Sequence, residues 1–313
     1  MQPDIICLGE ALVEFNLQPD GRFLQGHGGD TSNVAIAAAR QGARAGYLTR
    51  IGADAFGDSL TALWNAEGVD VTAVTRDEAA PTGIYFVTHG PDGHRFSYDR
   101  AGSAASRMTP GWLPCGYIRA ARVLHVSGIS LGISESAART VMEAIELARG
   151  AGVLVSCDPN LREQLWPPER AAAVTHEAMA KADIALPGLA DARRMTGLED
   201  PDTIMDYYLG LGPTTVALTL GAGGVLVATP DRRAHIPGVA VEAMDATGAG
   251  DTFDGAFLAR LMEGCDPFEA AVHANAAAAL STLGYGAVAP MPHRAEVEAF
   301  LPAPGNETAR GSA

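Results

Sequence analysis

The chain has 313 residues, 47% of them hydrophobic and 19% charged, which is enough apolar material for a sizeable α/β core. A formal net charge of −15 excludes a general nucleic-acid or anionic-membrane surface, although a few local arginines can still bind a small anion inside a cleft. Four cysteines (Cys7, Cys115, Cys157, Cys265) are scattered without paired spacing and no apolar run reaches membrane-spanning length, so composition predicts a soluble cytoplasmic protein with reduced thiols.

The start, Met1-Gln2-Pro3-Asp4, lacks the basic residues of a signal peptide, and Ile5-Ile6-Cys7-Leu8 reads as a buried strand. Residues 11–24 suggest short strands with turns between them. Gly28-Gly29-Asp30-Thr31-Ser32-Asn33 then opens an alanine-rich helix over 31–40. A second glycine turn, from Ile51 to Asp58, precedes another helix and is read as structural. Residues 83–98 read as two strands about the turn Pro91-Asp92-Gly93. Apolar runs at 123–126, 153–156 and 184–186 alternate with helical patterns at 135–149 and 169–180, and further strands follow at 216–218 and 225–227.

The runs at 5–8, 123–126, 153–156 and 184–186 look like buried parallel strands, which predicts a doubly wound α/β sheet. The strands of 11–24 and 83–98 have no crossover helix. They are expected to form a small sheet over the main cleft, which either closes on a ligand or pairs with another subunit. The polar, small-residue stretch 302–313 reads as a disordered tail.

The most informative stretch is Asp245-Ala246-Thr247-Gly248-Ala249-Gly250-Asp251. Three small residues bring the backbone round a tight turn, and Phe253, Phe257, Leu258 and Leu261 follow at helical spacing, which puts Asp251 near a helix start. Free N–H groups there cradle an anion, helped by the helix dipole. A carboxylate beside that cradle repels a resting phosphate. It makes sense as a base that takes a proton from a hydroxyl attacking a phosphoryl group, so the pattern points to a small-molecule kinase.

Other candidates are weaker. In the early glycine turn, Gly28 and Gly29 permit close approach of a ligand and Asp30 and Asn33 can hold hydroxyls, but an ordinary capped turn has the same composition. Tyr85, Tyr98 and Arg100 fall on or after the projecting strands. Arg162 follows Asp158-Pro159-Asn160-Leu161 at a strand end, where ligands gather in open α/β sheets. Two arginines facing one cleft suit a carboxylate or phosphate, while each alone is equally a solvated side chain. Thr219 and the glycines Gly221, Gly223 and Gly224 either approach a nucleotide or form a tight turn, and Asn275 either faces an adenine pocket or lies exposed on its helix. The eight histidines lack metal-ligand spacing, and Asp183, Asp191, Glu199 and Asp200 read as solvated surface.

Together these residues resemble the ribokinase-like (PfkB) carbohydrate kinase family over residues 4–301, through the early glycine pair and the Asp245–Asp251 signature in their usual order. The resemblance implies one kinase domain over 1–301 with a Rossmann-like core, and a β lid drawn from about residues 11–24 and 83–100. It implies ATP, Mg2+ and phosphorylation of a primary sugar hydroxyl. Asp251 is then the base, and the Gly248, Ala249 and Gly250 amides form the anion hole. A monovalent cation such as K+, lined by Asp245 and Thr247, is a further implication.

Within the family, the segments from Tyr98 to Ser106 and from Asp158 to Trp166 are most similar to those of 2-keto-3-deoxygluconate kinases, with fructokinases sharing part of the second. That likeness makes Gly29, Tyr85, Tyr98, Arg100 and Arg162 substrate contacts, the arginines serving a sugar carboxylate. Expected partners are therefore a sugar or sugar acid and ATP, together with a second copy of the chain through the lid. The family's Asn-x-x-Glu segment is altered here to Pro187-Gly188-Leu189-Ala190 followed by Asp191, and Gly223 stands where relatives often carry a lysine.

Overall fold

The computed structural model describes residues 2–90 and 93–301. The chain runs β1 (Ile5–Leu8), β2 (Leu12–Leu17), β3 (Phe23–Gly28), α1 (Asp30–Arg40), β4 (Ala45–Leu48), β5 (Arg50–Gly52), α2 (Ala55–Ala66), β6 (Thr75–Asp77), β7 (Ile84–Gly90) and β8 (Gly93–Asp99). There follow α3 (Cys115–Arg119), β9 (Val123–Ser127), α4 (Gly128–Gly132), α5 (Glu135–Gly150), β10 (Leu154–Asp158), α6 (Pro168–Met179), β11 (Ile184–Ala185), α7 (Leu189–Thr196) and α8 (Pro201–Leu211). The last elements are β12 (Thr215–Thr219), β13 (Gly224–Ala228), β14 (Arg233–Pro237), α9 (Ala249–Met262), α10 (Pro267–Ser281) and α11 (Arg294–Phe300).

The main sheet has eight strands in the order β14-β13-β12-β11-β10-β9-β1-β4. Pairing is parallel from β4 to β12, and the last two strands join antiparallel. Successive side chains leave opposite faces of a strand, and the core divides accordingly. Ile5 and Cys7 of β1 pack with buried residues of α1, α2, α9 and α10, whereas Ile6 and Leu8 pack with those of α5, α6 and α8. A doubly wound sheet buried on both faces follows from this, as the apolar runs predict. Strand β4, Ala45-Gly46-Tyr47-Leu48, was not foreseen, because two small residues hide its β character; the sheet context supplies it.

A second, four-stranded sheet has the order β3-β2-β7-β8, with β2 and β7 parallel and the outer pairs antiparallel. Its strands extend further than expected: β3 runs on to Gly28, so the early glycine pair starts at a strand end and not in a free loop. Residues Pro91 and Asp92 of the expected turn and the stretch 302–313 lie outside the described residues. Among the described residues, no helix is long and apolar enough to cross a membrane.

Candidate active site

The carboxyl ends of the parallel strands converge on a cavity of about 610 Å³, which the small sheet overhangs. Glu10 after β1, Asp158 at the end of β10, Asn160 after it, Leu186 after β11 and Thr219 at the end of β12 line it from below. Leu12, Tyr85, Phe96 and Tyr98 line it from the small sheet. Gly29 joins the two at the head of α1. Its φ of 113° is closed to ordinary L residues, and a Cβ there would stand 2.4 Å from the Glu10 carbonyl oxygen.

Helix α9 starts at the cavity wall. Gly248 caps it in the left-handed region at φ 75°, and a Cβ at that position would lie 2.9 Å from the Ala287 carbonyl oxygen. Gly248 and Gly250 line the cavity, and among the described residues their N–H groups meet no protein acceptor. Ala249 differs from the expectation. It is not part of the lining, and its N–H donates to the Ala246 carbonyl at 3.2 Å. The available anion cradle is therefore the two glycines, with the helix dipole behind them.

Asp251 occupies the first turn of α9, and its Oδ2 accepts a hydrogen bond from Asn33 Nδ2 of α1 at 2.8 Å. Burial pushes its carboxyl up to about 7, and the negative charge of Asp30 adds to the shift, against the opposing pull of Asn33 and Arg162. A carboxyl so tuned takes a proton readily near neutral pH and holds it weakly enough to release it.

Four more acids surround it. Asp30 accepts from Thr31 N (2.7 Å) and Asn160 Nδ2 (3.2 Å). Asp158 Oδ1 accepts from Asn160 N at 3.0 Å, a local turn that lets Asn160 adopt φ 31°. Asp191 Oδ2 accepts from Leu161 N at 3.0 Å. Asp254 lies one turn beyond Asp251. Burial raises all four carboxyls above their usual range.

The arginines behave differently from one another. Arg162, exposed at the rim, donates to the Leu161 carbonyl at 2.9 Å and lowers the carboxyls of Asp30, Asp191 and Asp251. Arg100 is mostly buried and pairs with Glu10, whose other oxygen accepts from Ser103 Oγ at 2.8 Å. Its guanidinium also lies 5.4 Å from the Tyr98 ring centroid. Tyr98 stacks on Tyr85 at 5.7 Å, and the Tyr85 hydroxyl donates to Glu14.

The profile of the pfkB family of carbohydrate kinases ("pfkB family carbohydrate kinase") matches residues 2–294 of this sequence. The chain belongs to that family. The carbohydrate kinase is 32% identical to the 2-dehydro-3-deoxygluconokinase of Bacillus subtilis (strain 168) over 313 residues, covering 97% of each chain. It is 35% identical to fructokinase-1 of Zea mays over 315 residues, covering 94% of this chain and 96% of that one. Among solved structures, the fructokinase of Xylella fastidiosa with bound ATP superposes with a TM-score of 0.88 at 27% identity, covering 95% of this chain and 97% of the other.

Of the kinase's expected site residues, Gly28, Gly29, Asn33, Tyr85, Tyr98, Arg100, Arg162, Thr219, Thr247, Gly248, Gly250 and Asp251 do line the one cavity. Gly221, Gly223 and Gly224 do not; the first two lie in the turn between β12 and β13, and Gly224 starts β13. Asn275 is buried on α10, and its amide donates to the Pro237 carbonyl at 2.8 Å, so it is neither exposed nor in the cavity. Asp245 spends both carboxylate oxygens on Thr247 (N 2.9 Å, Oγ1 2.6 Å) and Gly286 N (2.9 Å), which ties the loop to the segment after α10.

Asp191, expected on solvated surface, stands on the cavity wall in the first turn of α7. Asp183 is half-buried and accepts from Val155 N at 2.8 Å. The residues that sequence reasoning missed are Glu10, Asp158 and Asp254, with Asp30 given only a minor part. The spacing of Asp254 three residues after Asp251 was the one available signal, since such residues share a helix face.

Proposed function

We propose that this carbohydrate kinase transfers the terminal phosphoryl group of ATP to a terminal hydroxyl of a sugar acid, with 2-keto-3-deoxygluconate as the leading substrate. The observation that carries the kinase chemistry is Asp251, a half-buried carboxyl pushed up to about 7 beside the free Gly248 and Gly250 amides. Asp251 removes the proton from the attacking hydroxyl. The two glycine amides and the α9 dipole stabilise charge on the transferring group. Asn33 holds the Asp251 carboxylate in place. The lid residues Tyr85, Phe96 and Tyr98 exclude water from above. Residues 1–301 act as one kinase domain, working in the cytoplasm.

Magnesium, when bound with the nucleotide, neutralises phosphate charge. Among the described residues, no group of three or more His, Cys, Asp or Glu is arranged to hold a metal. That fits an ion held mainly by phosphate oxygens and water, with Asp191 the carboxylate on hand for its water shell. Thr247 and the Asp245 loop are the candidates for a monovalent cation.

Support for an acidic sugar comes from Arg162 at the cavity rim and from the 2-dehydro-3-deoxygluconokinase likeness. One observation favours a neutral ketose as the second reading: Glu10 already neutralises Arg100. A coupled ADP-release screen across sugar acids and neutral sugars tests the proposal. Faster turnover of fructose than of every sugar acid would replace the first reading by the second. A homodimer through the lid is supported by exposed Phe23, Leu24 and Phe96, and light scattering on the purified chain tests it.

A further inference from the structure

Asp254 is the buried acid that the phosphoryl transfer leaves unused. It is 2% exposed, yet it lines the cavity, and its Oδ2 has no hydrogen-bond partner. It sits three residues after Asp251 on α9, so the two side chains share a face of the helix. The groups acting on it are all acidic: Asp158 from the end of β10, Asp30 from the start of α1, and Asp251 from its own helix. Arg162 acts on Asp30, Asp191 and Asp251, but is not among the groups acting on Asp254.

An ionised carboxylate with a bare oxygen, out of water and ringed by like charges, is not sustainable. The group keeps its proton: burial, and then the charge of Asp158, push its carboxyl well above the usual range. A neutral carboxylic acid has an O–H to donate. Among the described residues, no protein group is hydrogen-bonded to Asp254 Oδ2. Asp254 is among the residues that line the cavity.

We propose that Asp254 is a substrate-contacting residue, a neutral acid on the cavity floor that donates its O–H to an oxygen of the bound sugar beside the hydroxyl that Asp251 deprotonates. The proposal rests on the sugar lying against Asp251, and adds a neutral donor that sorts sugars by the oxygen they place there.

The test measures sugar binding by the full chain without nucleotide. The probe is fructose or 2-keto-3-deoxygluconate, whichever the wild type turns over faster. Asp254→Ala should weaken sugar binding about ten- to a hundredfold, the loss of one buried hydrogen bond, with ADP affinity unchanged. Asp254→Asn keeps an N–H donor and should stay within about threefold of wild type. Unchanged sugar affinity in the alanine variant, or equal losses in both variants, overturns the proposal.

If the alanine variant fails to fold, the infrared carbonyl band of a protonated carboxylic acid decides. It should shift when sugar is added to wild type and be missing from Asp254→Asn; no shift overturns the proposal. The kinase assignment fails separately, by wild-type kcat in Asp251→Asn.

Discussion

Asp251 is useful because it is uncomfortable. Its carboxyl sits at about 7, raised mainly by burial and by Asp30. A base must be unprotonated to act, so kcat/KM of the free enzyme should rise with pH through about 7 and level off above it. Asp251→Asn should lower kcat about 10²–10⁴-fold while sugar affinity holds. A kcat/KM that stays flat across that range in wild type would remove Asp251 from the role of base. Glu10 offers a second residue-level prediction. Its charge compensates Arg100 in the cavity wall. Glu10→Gln should raise kcat/KM for a sugar acid relative to a neutral sugar, on the order of tenfold, and lower the thermal midpoint because a buried guanidinium loses its counterion. An unchanged acid-to-neutral ratio would show that Arg100 does not meet the sugar. Asp251 was legible in the sequence because its signature is local: glycines before it and helix after it. Glu10, Asp30, Asp158 and Asp254 were not, since their chemistry comes from burial against segments far apart in the chain.

At the level of elements, the most demanding join is the turn into α9. Gly248 holds a left-handed φ of 75° with the Ala287 carbonyl close by. Gly248→Ala should cost about 1 kcal/mol or more of stability. It should also lower kcat more than it raises KM for the sugar, because it displaces the amide cradle without touching the sugar wall. Equal effects on both constants would point to general loosening instead. Helices were legible as elements: the expected spans 31–40 and 135–149 match α1 and α5 within a residue at each end. Their orientation was not. Asn275 was placed correctly on a helix, but which way its amide faces depends on the Pro237 carbonyl of β14, a strand the apolar pattern did not mark. The strands of the small sheet were visible as short runs with turns between them, while the reach of β3 to Gly28 depends on its pairing with Leu12 of β2.

For the whole molecule, two sets of carboxyls oppose one another as pH changes. Asp4, Asp54 and Glu67 are held below their usual range, Asp4 and Glu67 chiefly by arginine partners and Asp54 by the hydrogen bonds it accepts, which outweigh its burial. Their contribution to stability is present above the unfolded value and lost as pH falls through the lowered one. The cavity acids Asp30, Asp158, Asp191, Asp251 and Asp254 run the other way. The folded state binds their protons more tightly than the unfolded chain, so their contribution is complete below the unfolded value of 3.8 and lost as pH rises through the raised one, about 7 for Asp251. The ligand-free protein should therefore be most stable in mild acid, with a thermal midpoint that falls from about pH 5 to 8. Self-repulsion from a net charge of −15 bends the curve the same way, so the wild-type profile alone cannot assign the cause. Comparison with Asp251→Asn can, since it alters the total charge by only one while removing a titration worth a few kcal/mol at most. Its midpoint should exceed that of wild type near neutrality and converge with it in acid. Parallel profiles across the range would mean that the cavity acids are not strained in the folded state. Asp251 would then owe nothing of its poise to burial.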